Sequence, residues 1–132
     1  MQLTTEQVRL LFEVGIMAAW QGDTTEARAI MDGIQAARPD STAPIIGIAI
    51  SLMNEGDLVQ AANVLEQEHQ QHPECNDVRL YLAMANKLSG YDDRCQQLCR
   101  GLPPEPLDTA IGEVARILCQ IPTESSMSEL AG

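Results

Sequence analysis

The hydrophobic positions of this chain repeat in register. Leu11 and Ile45 stand 34 residues apart, and Val14, Ile48 and Leu82 keep the same step. Met31, Leu65 and Cys99 form another such column, and Ala27, Ala61 and Cys95 a further one. Small residues hold a column of their own at Gly15, Ala49 and Ala83. A small residue on one helix facing a small residue on the next lets two helices approach closely, so each stretch reads as a packed helix pair. The pattern predicts helices over Thr4–Gln21 and Thr24–Arg38 in the first stretch. It predicts a last amphipathic helix from Asp108 to Ile121, where Ile111, Val114, Ala115, Leu118 and Cys119 recur at helical spacing.

The punctuation keeps the same period. Gly22-Asp23 returns as Gly56-Asp57, and the glycine returns at Gly90. Glycine there ends one helix in a left-handed cap. Asp23 is then placed to cap the next helix, with Glu26 three residues on. Pro39 and Pro73, also 34 apart, stop the second helix of their units. Thr4 with Gln7 is placed to cap the first helix, and Ser41 and Asn76 the first helices of the later units.

A helix pair of this length with these residues resembles the tetratricopeptide repeat. In that register the units run about 8–41, 42–75 and 76–109. The fold expected is all-α: three tetratricopeptide-like helix pairs in a right-handed superhelix. The helix over 108–121 caps the open face of the last pair, and 122–132 forms a flexible tail. The third unit departs from the pattern. Leu107 stands where proline is expected, and Arg79 where Leu11 and Ile45 are apolar. Glu68 falls in the column of Ile34 and Leu102, and Tyr91 in that of Asp23 and Asp57, so Asp92 or Asp93 is expected to cap the last second helix.

The resemblance also implies a concave groove lined by the first helix of each unit. Its fifteen groove positions hold eleven apolar residues here. The partner-binding set expected is Phe12, Ile16, Trp20, Ile46, Ile50, Met53, Leu80, Met84 and Leu88. Arg9, Asn54 and Lys87 are too scattered to clamp a carboxylate. An open trough of this kind exposes more apolar surface than a monomer usually tolerates. The shape that fits it is an amphipathic helix anchored at i, i+3, i+4 and i+7. Filling by the C-terminal helix, or self-association, is the competing reading.

Charge narrows the partners. Nineteen acids face eight bases, a net charge of −11, and Lys87 is the single lysine. Nucleic acid and anionic membrane surfaces need clustered bases that this chain does not carry. The start, Met1-Gln2-Leu3-Thr4, lacks the basic and apolar regions of a signal peptide, and no apolar run is long enough to span a membrane. Cys75, Cys95, Cys99 and Cys119 read as free thiols serving as small hydrophobes. His69, His72 and Cys75 lack a fourth zinc ligand, and Pro73 interrupts them. No nucleophile–base order or phosphate loop appears. An enzyme, a cofactor and a metal are therefore not expected.

The stretch Ile50-Ser51-Leu52-Met53-Asn54-Glu55-Gly56-Asp57, with the short length, three units and apolar groove, resembles the needle-protein chaperones of bacterial type III secretion (the YscG/PscG type). The resemblance implies a cytoplasmic chaperone that holds the C-terminal amphipathic helix of a needle subunit and prevents premature polymerisation. It implies a second, small helical chaperone packed against the N-terminal helices, in a heterotrimer. The alternatives are a chaperone of secreted translocator proteins and a self-associating repeat adaptor.

Overall fold

The computed structural model describes residues 2–103 and 110–120. Its described residues form helices and no strands. In order these are α1 (Thr5–Trp20), α2 (Thr24–Ala37), α3 (Ala43–Asn54), α4 (Leu58–Gln71), α5 (Asn76–Leu88), α6 (Asp92–Arg100) and α7 (Ala110–Gln120). The expected tail lies outside the described residues. No described helix is long and apolar enough to cross a membrane.

Three tight reversals set the architecture. Gly22, Gly56 and Gly90 all have positive φ, between 81° and 88°. At each, the glycine N–H donates to the carbonyl of the helix's last residue but one, and the next residue's N–H reaches one place further back. These are Gly22 to Ala19 with Asp23 to Ala18, Gly56 to Met53 with Asp57 to Leu52, and Gly90 to Lys87 with Tyr91 to Asn86, all at 2.8–3.1 Å. This double closure satisfies carbonyls that a helix end leaves orphaned. Only a residue without a Cβ adopts the required conformation at little cost. Each reversal folds the following helix back along its predecessor, giving the pairs α1/α2, α3/α4 and α5/α6.

The starts of the helices follow the sequence in part. Thr4 accepts from the Gln7 N–H at 3.1 Å, and Gln7 Oε1 accepts from the Thr4 N–H at 2.9 Å, closing both sides of the capping box. Asp23 and Asp57 accept from Glu26 and Gln60 N–H groups. Three expected caps differ. Thr42, not Ser41, holds the cap position of α3 and makes no side-chain cap, while Ser41 Oγ one place earlier accepts from the Ala43 N–H at 3.1 Å. Asn76 is the first residue of α5, and Cys75 precedes it without a side-chain cap. Asp92 and Asp93 lie inside the first turn of α6 because the reversal places Tyr91 at the cap position. There they face the positive end of the helix, and Asp92 also pairs with Lys87 at 3.4 Å.

Small residues bring the helices of each pair together, as the columns require. Ala49, Ala61, Ala83 and Cys95 are fully buried, and Gly15 and Ala27 nearly so. Met31 of α2 is the plug between α1 and α3. A Cβ on Gly15 would stand 2.6 Å from Met31 Cε, and one on Gly47 would stand 2.8 Å from Met31 Cγ. Both glycines therefore serve packing. Arg79, the polar intruder in an apolar column, lays its guanidinium over Gly101 at the end of α6, in space that a side chain there would fill.

The layers are joined through alternate helices. α3 lies at the centre, against α1, α2, α4 and α5, while α5 carries α6 on one side and α7 on another. The core runs continuously from Phe12 and Ile16 through Ile46 and Ile50 to Tyr81, Leu82 and Leu98, ending at Cys119. The third pair is shortened, as its departures suggested. α6 spans nine residues against fourteen each for α2 and α4.

Candidate functional site

Helix α3 carries apolar residues on nearly its whole circumference, Ala43-Pro44-Ile45-Ile46-Gly47-Ile48-Ala49-Ile50. Such a helix calls for cover on most of its circumference, and its neighbours supply it except along the strip of Ile48, which is half exposed. Ile46 and Ile50 are 1% and 0% exposed.

That burial corrects the expected groove. Phe12, Ile16, Ile46, Ile50, Met53 and Leu80 are all core residues of this chain. The physical reason is that α3 packs against α1, α2, α4 and α5, so Phe12, Ile16, Ile46, Ile50 and Met53 join Tyr81 and Leu82 of α5 in one continuous core. Above it, Met17 and Trp20 of α1 share one cleft with Tyr81 and Met84 of α5. At the other end, Leu80 clusters with Leu102 and with Ala115 of α7, with Met84 packed against them, so the last helix covers the third unit. Of the nine expected residues, Trp20 and Met84 stay half-buried and Leu88 is 52% exposed.

What remains open is narrower and displaced towards α7. A cleft of about 380 Å³ is lined by Met17, Trp20 and Gln21 at the end of α1, Tyr81 and Met84 on α5, and Val114, Ala115 and Leu118 on α7. Only Gln21 among these is uncharged polar apart from the Tyr81 hydroxyl. The Tyr81 ring is fully buried, and its hydroxyl has no hydrogen-bond partner among the described residues. Burial, then the nearby carboxylates of Asp77 and Glu13, pushes its pKa upward, so the hydroxyl stays neutral. A larger cleft of about 560 Å³ lies between α2 and α3, but Arg28, Asp32 and Glu55 contribute to its lining. The α1–α5–α7 cleft is the better apolar seat.

Two exposed stripes flank this cleft. On α1, Leu10, Val14 and Met17 lie at i, i+4 and i+7, each about half exposed. On α7, Val114, Ile117 and Leu118 do the same at i, i+3 and i+4. Met17 belongs both to its stripe and to the cleft, as do Val114 and Leu118. Residues at these spacings share one face of a helix, so each stripe is a continuous apolar band. Sequence reading missed the α1 band because Leu10 and Met17 fall outside the family's groove positions. It assigned Val114 and Leu118 to a covering face, where they instead remain half open. Ile111 lies outside the described side chains.

The other candidates resolve into ordinary contacts or regroup. His72 lies between Glu68 and Glu74, 3.6 Å from each. Glu66 holds Arg94 at 2.8 Å, so that acid serves a link between α4 and α6. Cys75 instead meets the Thr42 hydroxyl at 3.6 Å. Cys95, Cys99 and Cys119 come together where α6 meets α7. Burial pushes the Cys95 thiol up to about 11, while a hydrogen bond from Cys119 draws Cys99 down to about 6. The donor role and burial raise Cys119 in turn.

The fold and cleft thus define an all-helical chain of stacked helix pairs with an apolar seat at one end. Comparison with protein-family models, with curated proteins and with solved structures found no match to the chain.

Proposed function

We propose that this chain is a tetratricopeptide-like, non-catalytic chaperone of the bacterial cytoplasm, holding an amphipathic helix of a type III secretion needle subunit. The observation that carries the reading is the apolar cleft of Met17, Trp20, Tyr81, Met84, Val114, Ala115 and Leu118. A helix is about 10 Å across with its side chains, too broad to sink into this cleft whole. The cleft suits two or three successive anchors from one face of such a helix, with the stripe on α7 supporting the rest. Covering each aliphatic anchor contributes about 1.5–3 kcal/mol. The two methionines and the half-buried ring of Trp20 adapt to differing anchor shapes.

We assign the second, small chaperone to the exposed α1 band. Leu10 and Val14 lie on the N-terminal helix, where the family resemblance puts that partner, and outside the cleft. Two apolar surfaces that adjoin at Met17 are then available to two partners. The mechanism is competition by mass action. A subunit that polymerises through its apolar helix face loses that face while it is bound.

The test uses the full chain, co-expressed with a needle subunit, with and without the small helical partner. Size-exclusion chromatography with light scattering should give a one-to-one-to-one complex. Trp20 is the single tryptophan, so its emission reports the cleft directly. It should shift to the blue, saturably, when a peptide of the subunit's C-terminal helix is added. Unchanged emission together with no complex would refute the reading. A homodimer formed through the same bands would instead establish the self-associating adaptor.

A further inference from the structure

The cysteines of the third helix pair stand apart from their counterparts in the first two. Where α2 and α4 place Ala27 and Ala61, α6 places Cys95. Where they place Met31 and Leu65, it places Cys99. Packing of a helix pair therefore does not call for sulfur at either position. The covering helix α7 then brings a further thiol, Cys119, to the same point. All three Sγ atoms lie within 4.8 Å of one another. Cys95 and Cys119 are buried and Cys99 is half-buried.

This is close to the spacing a metal needs. Three thiolates at about 2.3 Å around a tetrahedral ion stand roughly 3.8 Å from each other. Cys95 and Cys99 lie one helical turn apart on a rigid element, so their separation is set by α6. Only a rotamer change and a small advance of α7 are needed to close the set. We propose that Cys95, Cys99 and Cys119 form a three-thiolate site for a thiophilic divalent ion of the zinc type, with a water molecule as fourth ligand on the half-exposed side of Cys99. Binding replaces the S–H bonds of those thiols still protonated with S–metal bonds and releases their protons to solvent, so that all three sulfurs ligate as thiolates. The Cys95 thiol gives up its 3.6 Å hydrogen bond to the Cys119 carbonyl in the process. Three thiolates and a divalent ion leave one net negative charge, and Arg116 on α7 lies near enough to Cys99 to offset it. Soft sulfur ligands select such ions over magnesium or calcium.

The site would fasten α7 to α6. These helices are separated in sequence by the segment that contains Pro103, Pro104 and Pro106, and α7 forms one wall of the apolar cleft. The site itself stands on the thiol geometry and does not depend on the proposed partner.

The reduced, metal-free full chain is titrated with Co2+ and then with Zn2+. One equivalent of Co2+ should bind with thiolate charge-transfer absorption and the intense visible bands of a tetrahedral ion, and Zn2+ should displace it. Zn2+ should also raise the thermal midpoint. Cys119→Ser and Cys99→Ser should each weaken Co2+ binding by about a hundredfold or more and remove the thermal shift. Cys75→Ser, outside the cluster, should leave both unchanged. Circular dichroism establishes that each variant is folded. Should Cys119→Ser unfold, the half-exposed Cys99→Ser decides. Failure of the folded wild-type chain to bind Co2+, weak octahedral absorption, or undiminished binding by a folded cluster variant would each overturn the proposal.

Discussion

Helices α3 and α7 are both rich in aliphatic residues, and the fold treats them in opposite ways. α3 packs against four neighbours, and Ile46 and Ile50 have no appreciable exposure, while Ile48 is half open. Among the described residues α7 packs chiefly on α5 and α6, and Val114, Ile117 and Leu118 all remain about half open. The difference lies in the number of packed neighbours. A helix with four neighbours keeps little apolar surface open, and one with two keeps more. Among the described residues, the continuous open apolar bands therefore lie on α7 and α1, and the largest buried aliphatic side chains lie around α3 and α5.

The sharpest way to break this contrast is to place the same charge in both regions. Ile50→Asp should unfold the chain, because a buried unpaired carboxylate costs several kcal/mol, comparable to the whole stability of a small domain. Far-ultraviolet circular dichroism at 25 °C reads the outcome, and a native spectrum would show that α3 is not core. Leu118→Asp on α7 should leave the spectrum and the thermal midpoint nearly unchanged. It should weaken capture of the amphipathic helix we propose as partner by about 2 kcal/mol, roughly thirtyfold. Equal loss of helicity in both variants would remove the distinction between the two regions.

Finer tests bear on how the centre is packed. Gly47→Ala should destabilise by about 1–3 kcal/mol, since the added methyl meets Met31 at Cγ, a position the side chain cannot swing away without moving its whole length. Chemical denaturation measures this. Gly15→Ala should cost less, because there the nearest atom is the mobile Cε of the same methionine. Smaller again, Thr4→Ala opens both bonds of the capping box and should cost about 1 kcal/mol. Trp20 fluorescence in the cleft should not respond to it.

The 34-residue spacing, the three glycine reversals, the small-residue columns and the Thr4 and Asp23 caps were all legible in the sequence. Each is a local or strictly periodic matter. A positive φ demands glycine wherever it occurs, and a capping hydroxyl reaches only to its own first turn. The groove was not legible in the same way. A helix as uniformly apolar as α3 has no polar face, so its periodicity says nothing about which side meets a partner and which meets the core. Family register supplied a face, and the packing of α3 among α1, α2, α4 and α5 buried it.

Residue order alone thus determined that this chain makes paired helices, where they turn and which small residues let them close. The tertiary structure alone decided which aliphatic residues stay in contact with water, because exposure depends on how many neighbours a helix acquires. It also brought Cys119 to Cys95 and Cys99, across 24 and 20 residues of chain, a meeting that no local spacing encodes.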